Sequence, residues 1–224
     1  SLADQPVKGR NYSPRGSLTT DIPPGDNGHG SYLMRVAYTD QGNEPIGPLT
    51  SEKIIALRNP VLNPEKYDEA KGNRLLTTPS RSFSMVGDQS YIAFDDIDLT
   101  GIKNIEIFGE APPRENATGC TVEIHLDTPN GQLISTQGEI EARDNNYREI
   151  VRNMKAENTK KGKPEEEIDY DQARRLAYSV VNANVENIEG IHKIYFVFRN
   201  PRAEQDQVLT RLFSIEFRSD NEVL

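Results

Sequence analysis

The chain is poor in cysteine, lacks tryptophan, and has no long apolar run. Its 224 residues include one cysteine, Cys120. No intramolecular disulfide can therefore close, and redox chemistry would need a thiol from elsewhere. Within Gly119-Cys120-Thr121-Val122 the thiol reads as a small apolar group buried where a strand begins. The apolar runs are only a few residues long, far short of the ~20 that a helix needs to cross a bilayer, so no membrane span is expected. No secretory leader opens the sequence, and Ser1-Leu2-Ala3-Asp4-Gln5-Pro6 reads as a cut inside a longer protein. Positive charge is also scarce. Against 35 Asp and Glu stand 26 Lys and Arg, a formal net charge of -9, which argues against nucleic acid and anionic membranes as partners. The three histidines, His29, His125 and His192, are too scattered for metal-ligand spacing. Phosphate-cradling glycine loops and nucleophile elbows are missing, and Gly162-Lys163 stands without the rest of a phosphate loop. Asp95, Asp96 and Asp98 read as the solvated end of a strand, since a retaining glycosidase pair needs carboxyls about 5 Å apart in a cleft. The chain is not expected to be an enzyme.

What is present is a series of short strands. Residues 1–30 hold much of the glycine and proline and read as an irregular leader or linker. Tyr32 to Tyr38 and Lys53 to Arg58 flank a Gly- and Pro-punctuated loop. They read as a β-hairpin extension over 31–60, too small to have a core of its own and expected to pack on the main domain. Further strands are expected at Tyr91–Phe94, Asn104–Phe108, Thr121–Leu126, Gln132–Ser135, Lys193–Phe198 and Leu212–Phe217. Turn signals such as Gly87-Asp88, Pro129-Asn130-Gly131 and Asn200-Pro201 lie between them. Short strands without alternating helices predict an all-β fold over 61–224, an antiparallel β-sandwich of jelly-roll-like order. One region, 141–178, breaks the pattern. Tyr147, Ile150, Val151 and Met154 fall at i, i+3, i+4 and i+7, the stripe of an amphipathic helix. Asn146 with Glu149 fits a helix start, and a second short helix is expected over Asp171 to Tyr178. The region reads as a helical insertion between two strands.

The stretch from 61 to 218 resembles family 6 carbohydrate-binding modules. Asn63-Pro64-Glu65-Lys66-Tyr67-Asp68 looks like the family's opening Glu-Ala-Glu-Asp-Tyr, and Asp98-Leu99-Thr100-Gly101 like its Asp-Leu-Ser/Thr-Gly turn. Gly119 to Asp127 followed by Gly131-Gln132-Leu133-Ile134 is similar to its Gly-Thr-Ile-Glu-Ile-Arg-Leu-Asp…Gly-x-Leu-Ile signature. Gly190 to Phe198 looks like Gly-Val-His-Asp-Leu-Tyr-Leu-Val-Phe, and Leu212 to Phe217 stands where the family has Phe-Asn-Ile-Asp-Trp. The front hairpin resembles a segment that precedes such modules in large bacterial proteins with sugar-dehydrogenase-like or cytochrome-like parts.

This resemblance implies an extracytoplasmic accessory module of a larger exported bacterial protein that binds an oligosaccharide or polysaccharide. Family members hold the sugar between aromatic rings and an asparagine. Here the family's Gly-Gly-Trp segment falls where the insertion sits, a second cleft tyrosine falls near Phe83 or Met85, and Ser214 replaces the asparagine. Tyr147, Tyr170 or Tyr178 could replace the missing Trp as stacking platform; the expected carbohydrate site is Tyr178, with Ser214 or a nearby amide such as Asn182 for a hydroxyl. The family's structural calcium maps to Glu65 and Glu216, with Asn63 in place of a further carboxylate. The departures support an alternative in which the module has lost sugar binding and docks other domains of a sugar-active or redox parent.

Overall fold

The computed structural model describes residues 32–76, 82–136, 138–162, 168–185 and 188–219. The expected leader over 1–30, His29 and the charged stretch 163–167 lie outside them. In chain order the strands are β1 (Tyr32–Thr39), β2 (Thr50–Leu57), β3 (Val61–Leu62), β4 (Glu69–Lys71), β5 (Asn73–Leu76), β6 (Ser82–Val86), β7 (Ser90–Asp98), β8 (Asn104–Glu110), β9 (Cys120–Leu126), β10 (Leu133–Ser135) and β11 (Glu139–Ile140). Two helices, α1 (Tyr147–Lys160) and α2 (Tyr170–Ala177), precede β12 (Ser179–Asn184), β13 (Ile191–Arg199) and β14 (Val208–Arg218).

The strands from β3 onward form two sheets. One runs β10-β9-β13-β7-β4 with β11 also on β9, and the other runs β12-β8-β14-β6-β5 with β3 also on β14. Every strand pairing in them is antiparallel. Because successive side chains alternate across a strand, Val122, Ile124 and Leu126 of β9 share one core with Ile194, Phe196 and Phe198 of β13. From the opposite sheet Ile105 and Ile107 of β8 and Ile215 and Phe217 of β14 enter that core. Phe94 and Phe196 meet edge to face at 6.2 Å. The all-β sandwich expected from the strand series is what the chain forms.

Cys120 starts β9 and is buried, and burial pushes its thiol up out of the reactive range. The glycine before it has φ +74°, and a Cβ there would lie 2.5 Å from the Ile140 carbonyl oxygen. Gly119 is thus the residue that lets β11 lie against β9.

The hairpin of β1 and β2 is a separate two-stranded sheet. Its register places Tyr32, Met34, Val36 and Tyr38 on one face with Leu57 and Ile55. Met34, Val36, Tyr38 and Leu57 of that face are exposed. The hairpin meets the sandwich at the end of β2: Ala56 is buried, and just beyond it Arg58 bonds the Asp95 carbonyl and lies over the Phe94 ring.

The insertion contains both expected helices. Tyr147, Ile150, Val151 and Met154 are half-buried, and no residue of α1 is fully buried. It is α2 that lies on the sandwich, through the buried Ala173 and Ala177. The Asp169 side chain caps α2 by accepting from the Gln172 N–H at 2.8 Å. Asn146 makes no such cap for α1, a departure from the expected helix start. Asn145 does that work, its Oδ1 accepting from the Tyr147 N–H at 3.3 Å. Among the described residues no helix is long and apolar enough to cross a membrane.

Candidate functional site

The site is built on the outer face of the β12-β8-β14 sheet. Register sets Asn182 opposite Glu106, and Glu106 opposite Glu216. The next row sets Val180 opposite Phe108, and Phe108 opposite Ser214. Asn182 and Ser214 therefore project from one face, and Tyr178 precedes β12 at its end.

Phe213 joins this face because of a bulge. The pairing of β14 with β8 shifts between Leu212 and Ser214, so one extra residue sits in β14 and its side chain is re-aimed. Leu212 and Ile215 both enter the core although they are three apart, and this spacing forces the shift. Phe213 stays 40% exposed. Its ring lies 4.5 Å from that of Tyr178, tilted by 47°. Tyr178 in turn stacks on Tyr147 at 5.7 Å and 18°. The result is a seam of three rings from β14, the α2–β12 junction and the start of α1. Burial first, then the nearby Glu110 charge, raises the Tyr178 hydroxyl pKa.

Beside the seam α2 crosses the sheet. Arg175 donates to Glu106 Oε2 at 2.8 Å, lies 3.5 Å from Glu216 Oε2 and sits over the Phe108 ring at 5.0 Å. Arg218 donates to the same two carboxylates at 2.7 and 2.6 Å. Ser214 Oγ donates to Glu216 Oε1 at 3.3 Å, and Asn182 Oδ1 accepts from Asn104 at 3.4 Å. Asn182 is exposed and Ser214 half-buried.

Of the residues expected from sequence, the structure gathers Tyr178, Ser214 and Asn182 on this face. Phe83 and Met85, where a second cleft aromatic was expected, are instead buried in the core, because β6 is an interior strand between β14 and β5. Glu65 lies just past β3, and the Asn63 side chain accepts its backbone N–H. The Glu216 carboxylate is taken by two guanidinium groups and a hydroxyl, an arrangement that does not fit a cation needing six to eight oxygens. Among the described residues no group of three or more His, Cys, Asp or Glu could hold a metal. His125, though on the outer face of β9, is buried between the Gly131 carbonyl at 3.1 Å and Glu123 at 3.2 Å. His192 lies 3.4 Å from Asp127. In the acidic cluster, Asp98 accepts from the Thr100 N–H and Asp95 pairs with Lys193.

The outer face of the other sheet carries a second polar group. Tyr91 and Tyr195 donate to Glu69 at 2.8 Å, and Lys193 pairs with it at 2.8 Å. Lys193 first, then the two hydroxyls, hold the Glu69 carboxyl down at about 2.

No family model matches the chain, and no curated protein matches it. Three similar solved structures are family 6 carbohydrate-binding modules. One, from Clostridium cellulolyticum in complex with xylose, has 17% identity and a TM-score of 0.48, covering 71% of this chain and 96% of its own. A β-1,3-glucan binding module from Bacillus halodurans has 15% identity and a TM-score of 0.46 over 71% and 95%. A module from Clostridium stercorarium in complex with cellobiose has 13% identity and a TM-score of 0.44 over 71% and 93%. With every one of these scores below one half, the assignment of the chain to an antiparallel β-sandwich rests on its own strand order and common core.

Proposed function

We propose that the chain is a non-catalytic carbohydrate-binding module of a larger exported protein, and that the sugar rests on the aromatic seam. The carrying observation is the half-exposed ring of Phe213 against Tyr178, next to Ser214 in the chain, with Asn182 further along the same face of β12. Aromatic faces suit the C–H faces of a sugar ring, and neighbouring polar groups orient its hydroxyls. The ordered motif resemblance from 61 to 218 supports the same reading. Affinity is expected to be weak, because a shallow face with few anchors leaves little surplus over the ligand's lost freedom.

Titration with soluble oligosaccharides tests this. Tyr178→Ala and Phe213→Ala should each cost on the order of 1 kcal/mol in binding, the scale of an aromatic stacking contact. Binding undiminished in both variants would refute the placement.

The adaptor reading has its own supporting observations. Arg175 of α2 lies across Phe108 and Glu106, where a ligand would otherwise reach. The hairpin also presents exposed Met34, Val36, Tyr38 and Leu57 on one face, and an isolated two-stranded sheet is at best marginally stable in water. Failure to bind any glycan, together with capture of the chain by a neighbouring domain of its parent, would favour this second reading.

Calcium is not needed by either reading. Because Glu216 is already satisfied by Arg218, Arg175 and Ser214, the melting temperature should be the same in calcium and in chelator. A ligand bound only by the native state must raise stability, so a rise in calcium that Glu216→Gln abolishes would contradict this and restore the Glu65 and Glu216 site.

A further inference from the structure

The first turn of α1 is tied to the sheet by an unusual route. Asn145 Oδ1 accepts from the Tyr147 N–H at 3.3 Å, and the same side-chain amide donates through Nδ2 to Glu110 Oε2. Glu110 ends β8, and its side chain is only 8% exposed. Its other oxygen faces Arg211 of the paired strand at 3.5 Å. A carboxylate this dry keeps its donors, since leaving it short of them costs the desolvation of a charge. The position of Asn145 is thereby strongly specified. The Asp144–Arg114 pair one residue earlier spans 2.7 Å, but both side chains are more than half exposed, and such pairs contribute little.

Tyr178, the middle ring of the seam, is placed from other elements: the buried alanines of α2, the Arg175 pairs and the start of β12. The Tyr147–Tyr178 stack thus joins two rings held by different elements. No residue of α1 is fully buried, so its first turn is placed by the bridges of Ala142 and Arg143 to Ala111, by α2 and by the Asn145 bond rather than by the core.

We propose that the Glu110–Asn145 pair is a positioning device for the aromatic seam: it holds Tyr147 against Tyr178 and so sets the ring face offered to a ligand. Glu110 and Asn145 act through the tyrosines. The consequence for ligand rests on the carbohydrate reading above, whereas the placement of the rings does not.

The experiment compares the full chain with Asn145→Ala and with Asp144→Ala as control. Ring resonances of Tyr147 and Tyr178 are followed by NMR on tyrosine-labelled protein and assigned with Tyr147→Phe and Tyr178→Phe. Xylohexaose, cellohexaose and laminarihexaose serve as probes in parallel titrations. Asn145→Ala should displace both ring resonances and weaken binding of whichever probe binds roughly fivefold, the scale of a lost ring-stacking contact. Asp144→Ala should change neither. A merely structural link would lower the melting temperature and leave the ring resonances of the folded protein in place, and that outcome overturns the proposal. Displaced rings with unchanged affinity overturn its ligand consequence. If the unaltered chain binds none of the three probes, the carbohydrate reading loses its support, while the ring resonances still decide whether Asn145 positions the seam.

Discussion

Replacing Phe196 with alanine is expected to lower the unfolding free energy by about 3–5 kcal/mol, the range for truncating a large buried aromatic. Phe196 is fully buried on β13, which pairs with both β7 and β9 at the centre of its sheet. The lost transfer energy is compounded by a cavity that strands held on both sides cannot collapse to fill. The edge-to-face contact with Phe94 adds a further loss. Against a total of roughly 5–15 kcal/mol for a domain, this is a large share. Urea denaturation at constant m-value is the measurement. A loss under about 1.5 kcal/mol, the scale of a volume-conserving swap, would mean that the core relaxes around the site, contrary to the packing described.

The second large effect is expected at Glu106. Its carboxylate is 11% exposed and receives both Arg175 and Arg218. Glu106→Ala leaves two guanidinium groups on the sheet face with only Glu216 to share. Breaking a fully buried ion pair costs about 3–5 kcal/mol. Arg175 and Arg218 remain 37% and 23% exposed, so water compensates them in part, and a loss of about 2–3 kcal/mol is expected, below that range. Because these bonds also seat α2, the loss should come with faster proteolysis in the insertion. A double-mutant cycle with Arg175→Ala isolates the pairwise contribution that ties α2 to the sheet. A cycle showing no coupling would remove the network from the account of how the insertion is held.

The sheet face also shows why the site was only partly legible in the sequence. Ser214 came from the resemblance, Tyr178 as a stand-in for the family's missing Trp and Asn182 as a nearby amide, and strand register places all three on one face. Phe213 does not follow from the resemblance. It reaches the face through the bulge in β14, and the cue was the pair Leu212 and Ile215, apolar residues three apart where strict alternation wants an even number. Phe83 and Met85 show the opposite case: short apolar strands read alike whether they lie at an edge or in the interior, and β6 proved interior.

By itself the sequence determined the fold class, the main strands and the presence of two helices in one insertion. These depend on the period of apolar residues and on turn chemistry, which are local. It also pointed to a buried Cys120, because a free cysteine at a strand start packs as a small apolar group. Which helix lies on the sheet was decided only by the tertiary structure. The i, i+3, i+4, i+7 stripe was legible in α1, yet it is α2 whose small Ala173 and Ala177 are buried, with Arg175 reaching Glu106 and Glu216. The meeting of Tyr147, Tyr178 and Phe213 was decided there too. They come from elements far apart in the chain, and the antiparallel ladder and the seating of the insertion bring their rings together.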